Sequence, residues 1–156
     1  MTSFIAFVIL TCIAISGATK FEDCGEFTVE GVKSVEISGC PENLDSCILE
    51  GSPNKTVAIE FELDSPAEMV TVLKHDSDWS RRFDVAYQAN TDACVDSGLT
   101  CPLAAGQSYT YTTSFVINYK LNDIDNNRLR FRWILLNQDE YEILCVRIPN
   151  KLKKVQ

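Results

Sequence analysis

The sequence predicts an all-β domain built as two antiparallel sheets packed face to face. Three observations carry this expectation. Apolar and polar residues alternate at period two in run after run. Clusters of Gly, Pro, Asn, Asp and Ser separate the runs, and nothing beyond residue 18 shows a 3.6-residue apolar stripe. Seven or eight short strands, each with one polar face, can bury their apolar faces only by packing sheet on sheet.

In chain order the first element is a leader. Met1 to Ala18 carries no charged side chain, and Phe4 to Leu10 and Ile13 to Ile15 form an apolar run broken only by Thr11 and Cys12. Ser16-Gly17-Ala18 supplies the small residues that a signal peptidase reads, and the run is too short to span a bilayer. Residues 1–18 are therefore expected to be a signal peptide. Residues 19–156 are expected to form one domain, large enough for a real core.

The strands follow. Thr28 to Ile37 reads as a strand of modest contrast. From Thr56 to Asp64, Val57, Ile59, Phe61 and Leu63 share one face, with Glu60 and Glu62 on the other. Glu68 to Lys74 is a second weak strand. From Arg82 to Gln88, Phe83, Val85 and Tyr87 share a face. From Ser108 to Leu121 the shared face holds Tyr109, Tyr111, Phe115, Ile117, Tyr119 and Leu121, and from Arg128 to Leu136 it holds Leu129, Phe131, Trp133 and Leu135. Glu140 to Ile148 closes the series, and a basic tail, Lys151 to Lys154, is expected to fray. Breakers lie at Gly39-Cys40-Pro41, Gly51 to Asn54, Asp64-Ser65-Pro66, Pro102 to Gly106 and Asn122 to Asn127.

Secretion places the cysteines in an oxidising compartment, where they pair. Cys12 leaves with the leader, so six remain: Cys24, Cys40, Cys47, Cys94, Cys101 and Cys145. Six cysteines allow about fifteen connectivities, and sequence alone does not choose among them. Short-loop closure favours Cys40 with Cys47 and Cys94 with Cys101. Cys24 is then left to Cys145, a long clasp worth on the order of 4 kcal/mol in the chain-entropy model. Zinc is disfavoured as the use of these thiols, because no C-x2-C pair exists and His75 is the sole histidine.

Lys and Arg number 14 against 22 Asp and Glu, a net charge of −8 that falls entirely outside the leader. That balance argues against nucleic acid as a partner. The search for catalysis is short. His75 has no G-x-S-x-G nucleophile elbow to serve. Asn122 to Asn127 has a faint calcium-loop look, yet it lacks the glycine of the sharp turn and Ile134 stands where the bidentate Glu belongs. A hairpin turn is the simpler account. Arg128, Arg130 and Arg132 form a basic row, read first as a solvated strand face and second as a dock for an acidic partner or membrane surface. Asn54-Lys55-Thr56 is an N-glycosylation sequon in a turn before a strand, so Asn54 is a candidate glycan site.

Several neighbours of the cysteines carry a resemblance. They are Phe21-Glu22-Asp23-Cys24-Gly25, Gly39-Cys40-Pro41, Cys47-Ile48-Leu49-Glu50-Gly51, Cys101-Pro102-Leu103, Gly106-Gln107-Ser108-Tyr109, Trp133, and Cys145 with Ile148-Pro149. In this order, from Phe21 to about Pro149, the chain resembles the ML lipid-recognition family. The resemblance implies an immunoglobulin-like β-sandwich with an apolar cavity between its sheets. It implies the pairs Cys24–Cys145, Cys40–Cys47 and Cys94–Cys101, no enzyme activity, no cofactor and no metal. It also implies a monomer, secreted or resident in the lysosomal lumen, that carries a sterol, fatty acid or similar lipid and touches a membrane or lipid receptor transiently. An innate-immune lipid co-receptor, or a carrier of hydrophobic chemical signals, is the alternative the same family offers.

In the family's sterol carriers an aromatic residue and a Val-x-x-x-Tyr motif guard the cavity mouth. Phe83 is the candidate for the first. Ile117 and Leu121 take the motif positions, with Leu121 in place of the tyrosine and Asn122 in place of the proline that follows it. This departure widens the ligand class from sterol to acyl chains and arthropod-type signals. The expected ligand set is Phe61, Phe83, Val85, Tyr87, Tyr111, Phe115, Ile117, Leu121, Phe131 and Trp133. A buried methylene contributes about 0.8 kcal/mol, so a sixteen-carbon chain offers roughly 12 kcal/mol gross from a dry cavity with no charge in it.

Overall fold

A computed structural model of the chain describes residues 18–24, 31–40, 45, 47–50, 54–76, 86–87, 91–117 and 130–153. These form nine strands: β1 (Glu22–Asp23), β2 (Val32–Ile37), β3 (Cys47–Glu50), β4 (Lys55–Glu62), β5 (Thr71–Asp76), β6 (Ala86–Tyr87), β7 (Ser108–Ile117), β8 (Arg130–Leu136) and β9 (Glu142–Lys153). One sheet orders β1-β9-β8-β5, with β3 also on β9, and the other orders β2-β4-β7-β6. Every pairing is antiparallel except β3 with β9. No described helix is long and apolar enough to cross a membrane.

Sequence alternation becomes burial alternation. In β4, Val57, Ile59 and Phe61 are buried, while Thr56 is exposed and Glu60 half-buried. The pairing register carries this face across the sheet. Val35 and Tyr111 flank Ile59, and Ile37 and Thr113 flank Val57. The facing layer comes from Trp133 and Leu135 of β8 with Leu144, Val146 and Ile148 of β9, all buried. Gly31 opens β2 because the chain passes against β4 there. Its carbonyl accepts the Glu62 N–H at 2.8 Å, and a β-carbon on it would collide with the Glu62 carbonyl oxygen.

Two strands carried no alternation signal. β1 has two residues, and β3 pairs with a segment about a hundred residues away in sequence. β3 also corrects the expected fraying of the basic tail. Ile48, Leu49 and Glu50 pair with Lys151, Leu152 and Lys153, so the ladder holds the chain to Lys153. In the expected strand Arg82 to Gln88, residues 86–87 are paired, and the others lie outside the described residues.

The cysteines pair as Cys24–Cys145, Cys40–Cys47 and Cys94–Cys101, with Cα–Cα distances of 5.8, 5.1 and 5.6 Å. Each serves the fold differently. Cys24 follows β1 and Cys145 lies in β9, so the long clasp is a cross-strand link inside one sheet. Cys40 follows β2 and Cys47 opens β3, so this bond joins the two sheets. The Cys94–Cys101 loop fills the free side of β7. There the Thr112 N–H donates to the Ser97 carbonyl at 2.7 Å, beyond the two positions that β6 covers. Gly98 makes that approach possible, with φ of +84° and a would-be β-carbon 3.0 Å from the Thr110 carbonyl oxygen.

Candidate functional site

The space between the sheets is apolar because both inner faces are. Among the described residues, the buried polar side chains are Thr19 and Ser97, and both are hydrogen-bonded. Trp133 bridges the layers. Its ring centroid lies 5.7 Å from that of Phe115 and 6.2 Å from that of Tyr111, at interplanar angles of 58° and 45°. Tilted arrangements of this kind suit the ring quadrupoles. A second pair, Phe61 and Tyr109, sits 6.0 Å apart further along β4 and β7. The Tyr109 hydroxyl leaves the apolar layer and bonds the Ala104 backbone, accepting from its N–H at 2.7 Å.

Strand parity extends this wall. Ile117 is two residues beyond Phe115 on β7, and Phe131 two before Trp133 on β8. Each therefore shares the inner face of its sheet. Phe131 pairs with Ile148, which is buried, and Ile117 pairs with Ala86. Phe115 and Trp133 thus meet across the sheets two residues before the end of β7 and three after the start of β8. Phe61 and Tyr111 continue the same layer inward, and both are fully buried.

Other expected positions fall elsewhere. Tyr87 is registered with Val116, and Ala86 with Ile117. Phe83, Val85 and Leu121 lie outside the described residues. Asn54 is exposed immediately before β4. His75 is paired with Arg132, and Arg132 with Arg147, on the face away from Trp133. Of the basic row, Arg132 therefore lies on the outer side of β8, and Arg128 lies outside the described residues. Arg147 sits beside Arg132, donating to the Cys24 carbonyl at 3.0 Å, with Glu22 at 4.0 Å.

Sequence reasoning left the β9 part of the opposing wall unassigned. Leu144, Val146 and Ile148 complete the inner layer beside Trp133 and Leu135. β9 lacks clean alternation because Cys145 is buried and Ile143 half-buried on the outer side, so no periodic signal marked its inward residues. Such a site is suited to holding an apolar molecule by exclusion of water. Among the described residues no group of three His, Cys, Asp or Glu could hold a metal ion.

Known proteins share this architecture. The family model described as ML domain matches residues 18–152. The chain is 33% identical over 150 residues to the NPC intracellular cholesterol transporter 2 homolog a of Drosophila melanogaster, covering 94% of this chain and 98% of that protein. It is 31% identical over 148 residues to the ecdysteroid-regulated 16 kDa protein of Manduca sexta, covering 94% and 97%. The fold also matches the crystal structure of a Niemann-Pick type C2 protein from Japanese carpenter ant. That match has a TM-score of 0.70 at 23% identity, over 86% of this chain and 99% of the other, and it speaks for the fold alone.

Proposed function

The chain belongs to the ML domain family, and from that premise we propose that it is a secreted, non-enzymatic carrier holding a sterol, fatty acid or related lipid between its two sheets. The carrying observation is the contact of Trp133 with Phe115 and Tyr111 across the two sheets, in line with the apolar alternation that continues to Ile117 and Phe131 in sequence. These residues give an apolar ligand aromatic and aliphatic walls on both sides. The Drosophila relative's name, a cholesterol transporter, supports a sterol-like cargo. Phe83, Val85 and Leu121 belong to the same proposal as residues of the entrance, and residues 1–18 as a cleaved leader. Asn54, exposed in its turn, is the proposed glycan site.

Headgroup recognition as an immune co-receptor gains little support, because the register puts Arg132 on the outer face of β8.

Solvent extraction of the purified protein followed by mass spectrometry is expected to yield a lipid, and that lipid should displace a fluorescent apolar probe. Ile117→Asp and Val116→Asp provide a matched pair, since neighbouring residues on a strand face opposite ways. Probe affinity should fall roughly tenfold or more in Ile117→Asp, by loss of apolar burial, and stay unchanged in Val116→Asp. Equal binding by both variants would place the ligand outside the intersheet space.

A further inference from the structure

Exposed apolar side chains gather at one end of the sandwich. Among the described residues, the large apolar side chains most open to solvent are Tyr141 at 70%, Met69 at 60%, Val95 at 47% and Val116 at 39%. Val116 stands on the outer face of β7. The other three sit on adjoining loops. The Glu68 N–H donates to Gln138 Oε1 at 3.1 Å, tying the segment of Met69 to the turn of Tyr141. The Ala93 N–H donates to the Val70 carbonyl at 2.8 Å, tying that segment to the loop of Val95. Single exposed apolar residues are ordinary, whereas a group on neighbouring loops marks a surface that meets something.

The loops that carry this group bear charge of one sign. Asp64, Glu68, Asp92, Asp96, Asp139 and Glu140 are all exposed. Residues 64–70, 91–102 and 137–142 contain no Lys, Arg or His. The backbone adds an independent mark. Asp96 and Glu140 are the described non-glycine residues with positive φ, 53° and 62°. Each adjoins an exposed apolar residue, Val95 or Tyr141. Left-handed backbone is a conformation that glycine takes most easily and aspartate more readily than most other residues.

The surface is also held in shape. Asn137 Oδ1 accepts from the Asp139 and Tyr141 N–H groups at 3.0 and 2.9 Å, and the Asn137 N–H donates to the Tyr141 carbonyl at 2.9 Å. Across the patch, Asp92 Oδ1 accepts from the Cys94 N–H at 2.8 Å at the entry to the disulfide-closed loop. A surface fixed beforehand loses little freedom on binding.

We propose that this end is a docking surface for a protein partner that presents lysine or arginine around an apolar depression. Tyr141 and Met69 are the anchors, of the residue types that dominate interface cores. The carboxylates form a rim that steers a basic partner and rejects acidic ones. The same rim repels nucleic acid and anionic membrane surfaces. The carboxylates are spread too widely to hold a metal ion together. Ile117 and Arg130 lie at the far ends of β7 and β8, so a partner seated here leaves the ligand end free.

A random dodecapeptide display library panned on the full chain tests the proposal. Enriched peptides should combine Lys or Arg with Leu, Phe or Trp. Their affinity should weaken as salt rises and fall roughly tenfold or more in Tyr141→Ser. Val116→Ser should bind them as the parent does, and all variants should melt alike. No enrichment, peptides without cations, or affinity indifferent to Tyr141→Ser would overturn it. So would phosphatidylcholine vesicles captured through this end, or a dimer in sedimentation that Tyr141→Ser abolishes, since these assign the surface to lipid or to a second copy.

Discussion

The loops closed by Cys40–Cys47 and by Cys94–Cys101 share a sequence separation of 7, but the protein holds them by different means. The second is built into the core. Ala93, Leu99 and Leu103 around it are buried, the Ser97 hydroxyl bonds the Ala93 carbonyl and the Leu99 N–H, and the Ser97 carbonyl takes the Thr112 N–H of β7. The first is a bridge. Its cysteines are buried, with one at the end of a strand in each sheet, and its described outer contact is the exposed Lys20–Asp45 pair at 2.7 Å. Equal loop length gives equal chain entropy, about 2.5 kcal/mol each in the simple model. The surroundings decide how much of that is felt. A loop docked by packing keeps its place when the covalent bond is cut, and a bridge between sheets does not.

The largest effect expected is from packing. Leu99→Ala should cost about 3 kcal/mol, or roughly 9 °C in Tm, because the cavity lies beneath a loop pinned at both ends. If removing the Cys94–Cys101 bond costs more than Leu99→Ala, the loop is held by its disulfide and the contrast fails.

Next come the paired cysteine replacements. Cys40→Ala with Cys47→Ala should lose about 2.5 kcal/mol, and Cys94→Ala with Cys101→Ala about 1 kcal/mol, read by denaturant unfolding. Hydrogen exchange should quicken in β3 and at Asn150 to Lys153 in the first variant, and stay slow at Thr112 in the second. Equal losses would leave loop length as the sole determinant.

The smallest effect sits on the bridge's surface. Asp45 raises the Lys20 pKa, first through its hydrogen bond and then through its charge. Whatever the pair contributes is therefore present below the ordinary lysine value of 10.5 and lost as pH rises through the raised one. The pair is exposed, so Lys20→Met should shift Tm by under about 1 °C at neutral pH. Parent and variant should converge at strongly alkaline pH. A larger shift would mean that the bridge leans on this contact after all.

Much of the fold was legible because burial imposes a period. Val57-x-Ile59-x-Phe61 and Phe131-x-Trp133-x-Leu135 announce half-buried strands, and the equal cysteine spacings announce local loops. β3 was not legible. Four residues are too few to show a period, and their partners lie at the opposite end of the chain. For the candidate site, alternation grouped Phe83, Val85 and Tyr87 on one face without saying which face turns inward. The register pairs Tyr87 with Val116, and a slip of one residue would exchange the faces of that strand; Phe83 and Val85 lie outside the described residues. The docking of Ser97 on β7 left no trace in the sequence beyond Gly98, because backbone-to-backbone contacts carry no side-chain signature.

The strand order also has a consequence for how the chain is made. β2, β4, β6 and β7 all come from residues 32–117, so one sheet is fully encoded before β8 begins. The other takes its outer strand from Glu22–Asp23 and its centre from Arg130 to Lys153. On a ribosome the two cysteines of each short pair emerge almost together. Cys24 waits for Cys145 across 121 residues, on the order of 10 s at ordinary elongation rates. Through that interval it is a thiol without its mate, while Cys40, Cys47, Cys94 and Cys101 are available for exchange. The last bond made is thus the one that seals the first strand to the last.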